Sequence, residues 1–81
     1  MKISVDISNY PLHDEFKIPI RDFIARLNMH PQVKAVTNGM STQVFGEYDD
    51  VMNALNSEMK KSFEIPHSVF VLKIVNADLQ Q

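Results

Sequence analysis

The stretch "NGMSTQVFGEYDD", Asn38 to Asp50, decides the fold. Asn38-Gly39 is a strong hairpin signal, because both residues tolerate positive φ. "STQVFGEY" then reads as a strand. Asp49 stands where a helix N-cap is expected, with Val51, Leu55 and Met59 following at intervals of four. Asp49 and Asp50 also suit the positive end of that helix's dipole. Turn, strand and helix start therefore follow one another without a linker.

Working backward, "VKAVTN" (33–38) is the hairpin's other strand. Before it, Ile20, Phe23, Ile24 and Leu27 fall at i, i+3, i+4 and i+7, an apolar helical stripe with Arg21, Asp22 and Arg26 on the remaining surface. Pro19 belongs in that helix's first turn, where a missing N–H costs little. "KISVDISN" (2–9) alternates strictly, with Ile3, Val5 and Ile7 on one face and Ser4, Asp6 and Ser8 on the other. Pro11 helps to end this strand. Working forward, Pro66 separates the second helix from "SVFVLKIVN" (68–76), a strand apolar on both faces.

The order is βαββαβ. For 81 residues it predicts one domain over 1–81, an α+β ferredoxin-like sandwich: a four-stranded antiparallel sheet in the order 4-1-3-2 with both helices on one face.

Composition bounds the function. Apolar residues are 44% and charged residues 22%, ordinary for a soluble globular chain. A domain this short buries about 60–65% of the surface its unfolded chain exposes, so the core is thin and association with another copy would help it. The absence of cysteine excludes disulfides, a thiol nucleophile, iron–sulfur ligation and cysteine zinc sites. A net charge of −2 gives no reason to expect a nucleic acid partner. "MKISVDISNY" is neither a signal peptide nor a membrane span, and the expected location is cytoplasmic.

Alternation also assigns faces. With Ile3, Val5 and Ile7 toward the helices, Ser4, Asp6 and Ser8 point to the open side. On the third strand Ser41, Gln43, Phe45 and Glu47 join them, while Thr42, Val44 and Gly46 face the helices, unless a bulge at Gly46 flips part of the pattern. On the last strand Val69, Val71, Lys73 and Val75 face outward, and Phe70, Leu72 and Ile74 enter the core. Phe45, Val69, Val71 and Val75 are too many apolar groups to leave bare in one patch, so the open face is expected to serve a sheet-to-sheet subunit interface, a small-molecule pocket, or both. The first and third strands are antiparallel neighbours. That brings Ser8 and Tyr10 close to Ser41 and Thr42, with Ser68 at the same end.

Catalytic and metal signals are missing. His13, His30 and His67 sit in predicted loops without ligand spacing and are expected to be solvated. There is no nucleophile elbow, phosphate loop or dinucleotide fingerprint. An RNA-recognition sheet needs aromatics on the open faces of the first and third strands; here only Phe45 qualifies. The acylphosphatase variant needs a glycine-rich, arginine-bearing loop, whereas "NYPLHDE" is acidic. The expectation is a non-enzymatic protein with no cofactor. Asp6 and Glu47 read either as solvated strand carboxylates paired with Lys73 or, beside an aromatic, as partners for an organic cation. Ser41 and Thr42 read either as hairpin-end hydrogen-bonding groups or as ligand donors.

Three segments, "ISNYPL", "MSTQVFGEYDDVM" and "VFVLKI", resemble the thiamine-binding YkoF-like family of small ferredoxin-like proteins. With their spacing the resemblance spans essentially the whole chain. It implies binding of thiamine or its hydroxymethylpyrimidine part, without catalysis, and homodimers or homotetramers built through the sheets. It points to Ser8, Tyr10, Ser41 and Thr42 as binding positions; Asp6, Phe45 and Glu47 complete the candidate set from the open face. Longer members carry two such repeats, so in this single-repeat chain a pocket between repeats has to form between subunits. Hydroxyls suit an aminopyrimidine, because they both donate and accept. The rival expectation is an interaction module whose open face serves only oligomerisation, with no enclosed polar cavity near Ser8 and Ser41.

Overall fold

The structure, a computed structural model, describes residues 1–80. β1 (Lys2–Pro11), α1 (Lys17–Leu27), β2 (Lys34–Thr37), β3 (Thr42–Glu47), α2 (Tyr48–Ser62) and β4 (Ser68–Val75) follow in the predicted order. They form one antiparallel sheet ordered β2-β3-β1-β4, which is the expected 4-1-3-2, in a ferredoxin-like arrangement. No helix of the described residues is long and apolar enough to cross a membrane.

The core forms where the two periodicities meet. Ile3, Val5 and Ile7 of β1 and Val44 of β3 are buried beneath Phe23 and Leu27 of α1 and Val51, Ala54 and Leu55 of α2. Phe70 packs edgewise into this layer, its ring centroid 5.0 Å from that of Phe23 and 5.4 Å from that of Phe63. The helices lie over β1, β2 and β3. The outer end of edge strand β4 is therefore uncovered, and Ile74, expected in the core, is 49% exposed.

Several local expectations give way to longer-range partners. Asp49 is not the N-cap of α2; Glu47 occupies that position and Asp49 lies in the first turn. Glu47 is still paired with Lys2 in the ladder, and the Tyr48 N–H donates to the Met1 carbonyl at 2.8 Å. The sheet thus satisfies a helix-start donor that a capping side chain would otherwise take. Pro11 remains in β1, opposite Ser68. The Leu12 N–H donates to the His67 carbonyl at 2.7 Å, which fixes the even-numbered residues of β1 as those bonding toward β4. Proline at position 11 removes no bond from that ladder.

The hairpin exists but closes differently from the expected pair of positive-φ residues. Residues 38–41 form the connection, and the Asn38 Oδ1 accepts the Met40 and Ser41 N–H groups at 2.8 and 3.1 Å. This side-chain turn replaces left-handed backbone. Among the described residues only Gly46 has positive φ, at 155°. A Cβ there would lie 3.1 Å from the Gln32 carbonyl oxygen and 3.2 Å from a Val51 methyl, so glycine is required for both reasons. The register runs unbroken through Gly46, without a bulge, and the face assignment of β3 holds.

Candidate functional site

The open face carries a hydrogen-bonded polar cluster. Register places Asp6 between Gln43 on β3 and Lys73 on β4. Ser41 Oγ donates to Asp6 Oδ1 at 2.6 Å and Gln43 Nε2 donates to the same oxygen at 2.8 Å; Gln43 Nε2 also lies 2.9 Å from Ser41 Oγ. The Ser41 and Gln43 hydrogen bonds hold the Asp6 carboxyl below its ordinary value against the opposing effect of burial, and the Lys73 charge adds to them. The group is an anchored carboxylate.

Ser4 points to the open side with Asp6, as expected, but is buried there. Residues 76–79 fold back over it: Ser4 Oγ donates to the Ala77 carbonyl at 2.7 Å and accepts the Leu79 N–H at 2.9 Å. This return walls one side of a 370 Å³ depression bordered by Asp6, Gln43, Phe45, Lys73 and Leu79. Val69 and Val71 stay exposed on the same sheet face, as alternation requires.

A second, smaller cavity arises because the strands differ in length. β1 pairs with β4 as far as Pro11 but with β3 only as far as Ile7, opposite Thr42. Past Ile7, β1 overhangs a notch closed by the 38–41 loop on one side and by Ile20, Phe23 and Ile24 of α1 on the other. Its volume is 160 Å³, and Ser8, Tyr10, Ser41 and Thr42 all border it. The convergence of the first two segments expected from topology is present; Ser68, opposite Pro11 in the sheet, does not border the cavity.

The seven candidates do not form one site. Ser8, Tyr10, Ser41 and Thr42 share the notch, and Asp6 and Phe45 border the open-face depression. Ser41 joins the two, since it borders the notch and hydrogen-bonds Asp6. Thr42 is buried with its Oγ1 2.9 Å from Thr37 Oγ1, as its helix-facing side of the pleat predicts, so Ser41 is the accessible member of the pair. Glu47 lies apart from both cavities, 3.0 Å from the Met1 ammonium, at the exposed end of the sheet.

Residues outside the candidate set also enter these sites. Gln43 and Lys73 flank Asp6 across the sheet, and Asn9 borders the notch between Ser8 and Tyr10. His30, expected to be a solvated loop residue, instead lies 2.7 Å from Glu58 Oε2 between the helices. Among the described residues no group of three or more His, Cys, Asp or Glu is placed to hold a metal ion.

No family model matches the chain, and no curated protein sequence matches it. Solved structures are similar in fold. A protein of Streptococcus pneumoniae matches with a TM-score of 0.88 and 23% identity, over 98% of this chain and 90% of its own. A hypothetical protein of Methanocaldococcus jannascii matches with a TM-score of 0.82 and 20% identity, over 99% and 84%. A protein of Thermotoga maritima, provisionally assigned to thiamine biosynthesis or salvage, matches with a TM-score of 0.82 and 19% identity, over 99% and 85%. At these identities the likeness establishes a shared fold.

Proposed function

We propose that this protein is a non-catalytic, cytoplasmic binder of thiamine or its hydroxymethylpyrimidine part. The observation that carries the reading is that Ser8, Tyr10, Ser41 and Thr42, from two chain segments, border one small cavity with apolar helix residues on its far side. An apolar pocket with a few convergent polar groups is the usual form of a small-molecule site. The T. maritima neighbour's assignment points to the same chemistry. In this reading the pyrimidine occupies the notch, and a thiazolium extends past Ser41 toward the anchored Asp6 carboxylate, where a cation is favoured. Calorimetric titration with thiamine and with hydroxymethylpyrimidine tests it. Saturable heat from either is expected, and none from either at millimolar ligand overturns the reading.

A second reading rests on the exposed Val69, Val71 and Val75 of the open face, which favour a homodimer or homotetramer formed through the sheets. Ligand titration of the Val71→Lys protein separates the two. A pure interaction module becomes monomeric in sedimentation equilibrium and has no ligand heat to lose. A binder keeps its notch and its ligand.

A further inference from the structure

Asn9 violates the pattern of its own strand. Ile3, Val5 and Ile7 point to the helices, and the next position in that register is Asn9. Both side-chain amide atoms, Nδ2 and Oδ1, are buried, and neither has a hydrogen-bond partner among the described residues. A buried carboxamide without partners is costly and rare in a native fold. His13 Nε2 shares the condition but borders neither the depression nor the notch. Asn9 borders the notch.

The backbone of Asn9 is directed the same way. Even-numbered residues of β1 bond toward β4, so the Asn9 N–H and carbonyl point toward the β3 side. There the ladder has already ended, at Ile7 opposite Thr42. Asn9 thus brings an unpaired, buried carboxamide and a main-chain donor and acceptor beyond the end of the ladder to the wall of the notch. The opposing wall, Ile20, Phe23 and Ile24, is apolar and suits the face of a flat ring. A volume of 160 Å³ suits a single six-membered ring better than a two-ring ligand.

We infer that Asn9 is the specificity residue of the notch. Its carboxamide reads a one-ring heteroaromatic through an exocyclic amino group and the adjacent ring nitrogen. Oδ1 accepts from the amino group and Nδ2 donates to the ring nitrogen, the complementarity by which asparagine reads the amino edge of adenine. The inference rests on the small-molecule reading of the notch and names the part of the ligand that is recognised.

The test compares hydroxymethylpyrimidine, its desamino analogue and cytosine by calorimetry on the wild-type protein, Asn9→Leu and Asn9→Asp, with melting temperatures in parallel. The wild type should prefer the amino ring by about tenfold or more. Asn9→Leu should lose that preference while melting no lower than the wild type, since it removes an unpaired buried amide. Asn9→Asp keeps the acceptor for the amino group but lacks the donor to the ring nitrogen, so it should weaken binding of both rings while still favouring the amino one. If Asn9→Leu retains the wild-type preference, or melts lower while retaining it, Asn9 is structural: the inference fails and the proposed binding stands. If hydroxymethylpyrimidine is ignored but cytosine binds in an Asn9-dependent way, the inference stands and the proposed ligand falls. If no ring binds, both fall.

Discussion

Replacing Glu58 by alanine should strongly destabilise this fold, and the size of the effect can be worked from the geometry. Glu58 is 9% exposed, a buried carboxylate between the two helices. Its Oε1 lies 2.7 Å from Arg26 Nε and its Oε2 2.7 Å from His30 Nε2. Arg26 Nη2 also donates to the Glu58 carbonyl at 3.2 Å and to Ser62 Oγ at 2.8 Å. Breaking a fully buried pair costs about 3–5 kcal/mol and an exposed one about 0–1. The partner side chains here keep some water, at 22% exposure for Arg26 and 31% for His30, and Arg26 retains its carbonyl and Ser62 bonds. A loss of about 2 kcal/mol follows. For a chain of this length that lowers the melting temperature by about 8–16 °C.

The pH dependence supplies an independent check. Burial raises the Glu58 carboxyl, but hydrogen bonds from His30 and Arg26 and their charges outweigh it, so the group sits below its ordinary value of 4.5. A depressed folded value stabilises the fold above the unfolded value, and that stability is lost as pH falls through the folded one. The gap between wild type and Glu58→Gln should therefore be full at neutral pH and shrink once pH drops below about 4.5. Thermal melts of both variants across pH, with an Arg26→Ala, Glu58→Ala double-mutant cycle, measure it. A shift under about 4 °C for Glu58→Ala, or a gap that stays constant into acid, refutes the reasoning.

Ser41→Ala should raise the Asp6 carboxyl toward its ordinary value, read from the carboxyl carbon shift in an NMR titration, because it removes the 2.6 Å hydrogen bond and leaves Gln43 alone. The accompanying stability loss, about 1 kcal/mol at neutral pH, disappears as acid protonates Asp6; an unmoved titration refutes the assignment. Gly46→Ala should cost about 2–4 kcal/mol, since it combines a φ of 155° with contacts at 3.1 and 3.2 Å. A melting temperature within 3 °C of the wild type, roughly half a kcal/mol, would show that Gln32 and Val51 yield freely.

The fold was legible because each element's repeat sees one environment along its length. Ile3, Val5 and Ile7 alternate into the core, and Phe23 and Leu27 enter it one helical turn apart. Expectations failed where a distant residue decides. Ser4 is covered by Ala77 and Leu79, His30 is bound by Glu58, and the start of α2 is held by the Met1 carbonyl. Local pattern does not encode such partners. The hydroxyl cluster at the notch was legible through strand neighbourhood, and the burial of Thr42 through the pleat. Asn9 was missed although its signal lay in the sequence: a polar residue in the register of Ile3, Val5 and Ile7 is a conflict between local chemistry and the core pattern. Such conflicts gather at functional sites.

The origin of the notch leads back to Asn38. If β3 began two residues earlier, the register would set Met40 opposite Asn9, and the Met40 N–H would face the Asn9 carbonyl. That N–H instead donates to the Asn38 side chain at 2.8 Å, and the Ser41 N–H donates to the same oxygen at 3.1 Å. The Asn38 side chain engages the Met40 N–H, so β3 starts at Thr42 while β1 runs on, paired only with β4, as far as Pro11. Proline at position 11 reinforces the ending, because it presents no N–H toward the β3 side. The sheet is thus terminated unevenly by two side-chain choices, and the overhang leaves the main-chain groups of Asn9 beside its unpaired carboxamide. The asparagine that marks the hairpin in the sequence is the residue that opens the cavity.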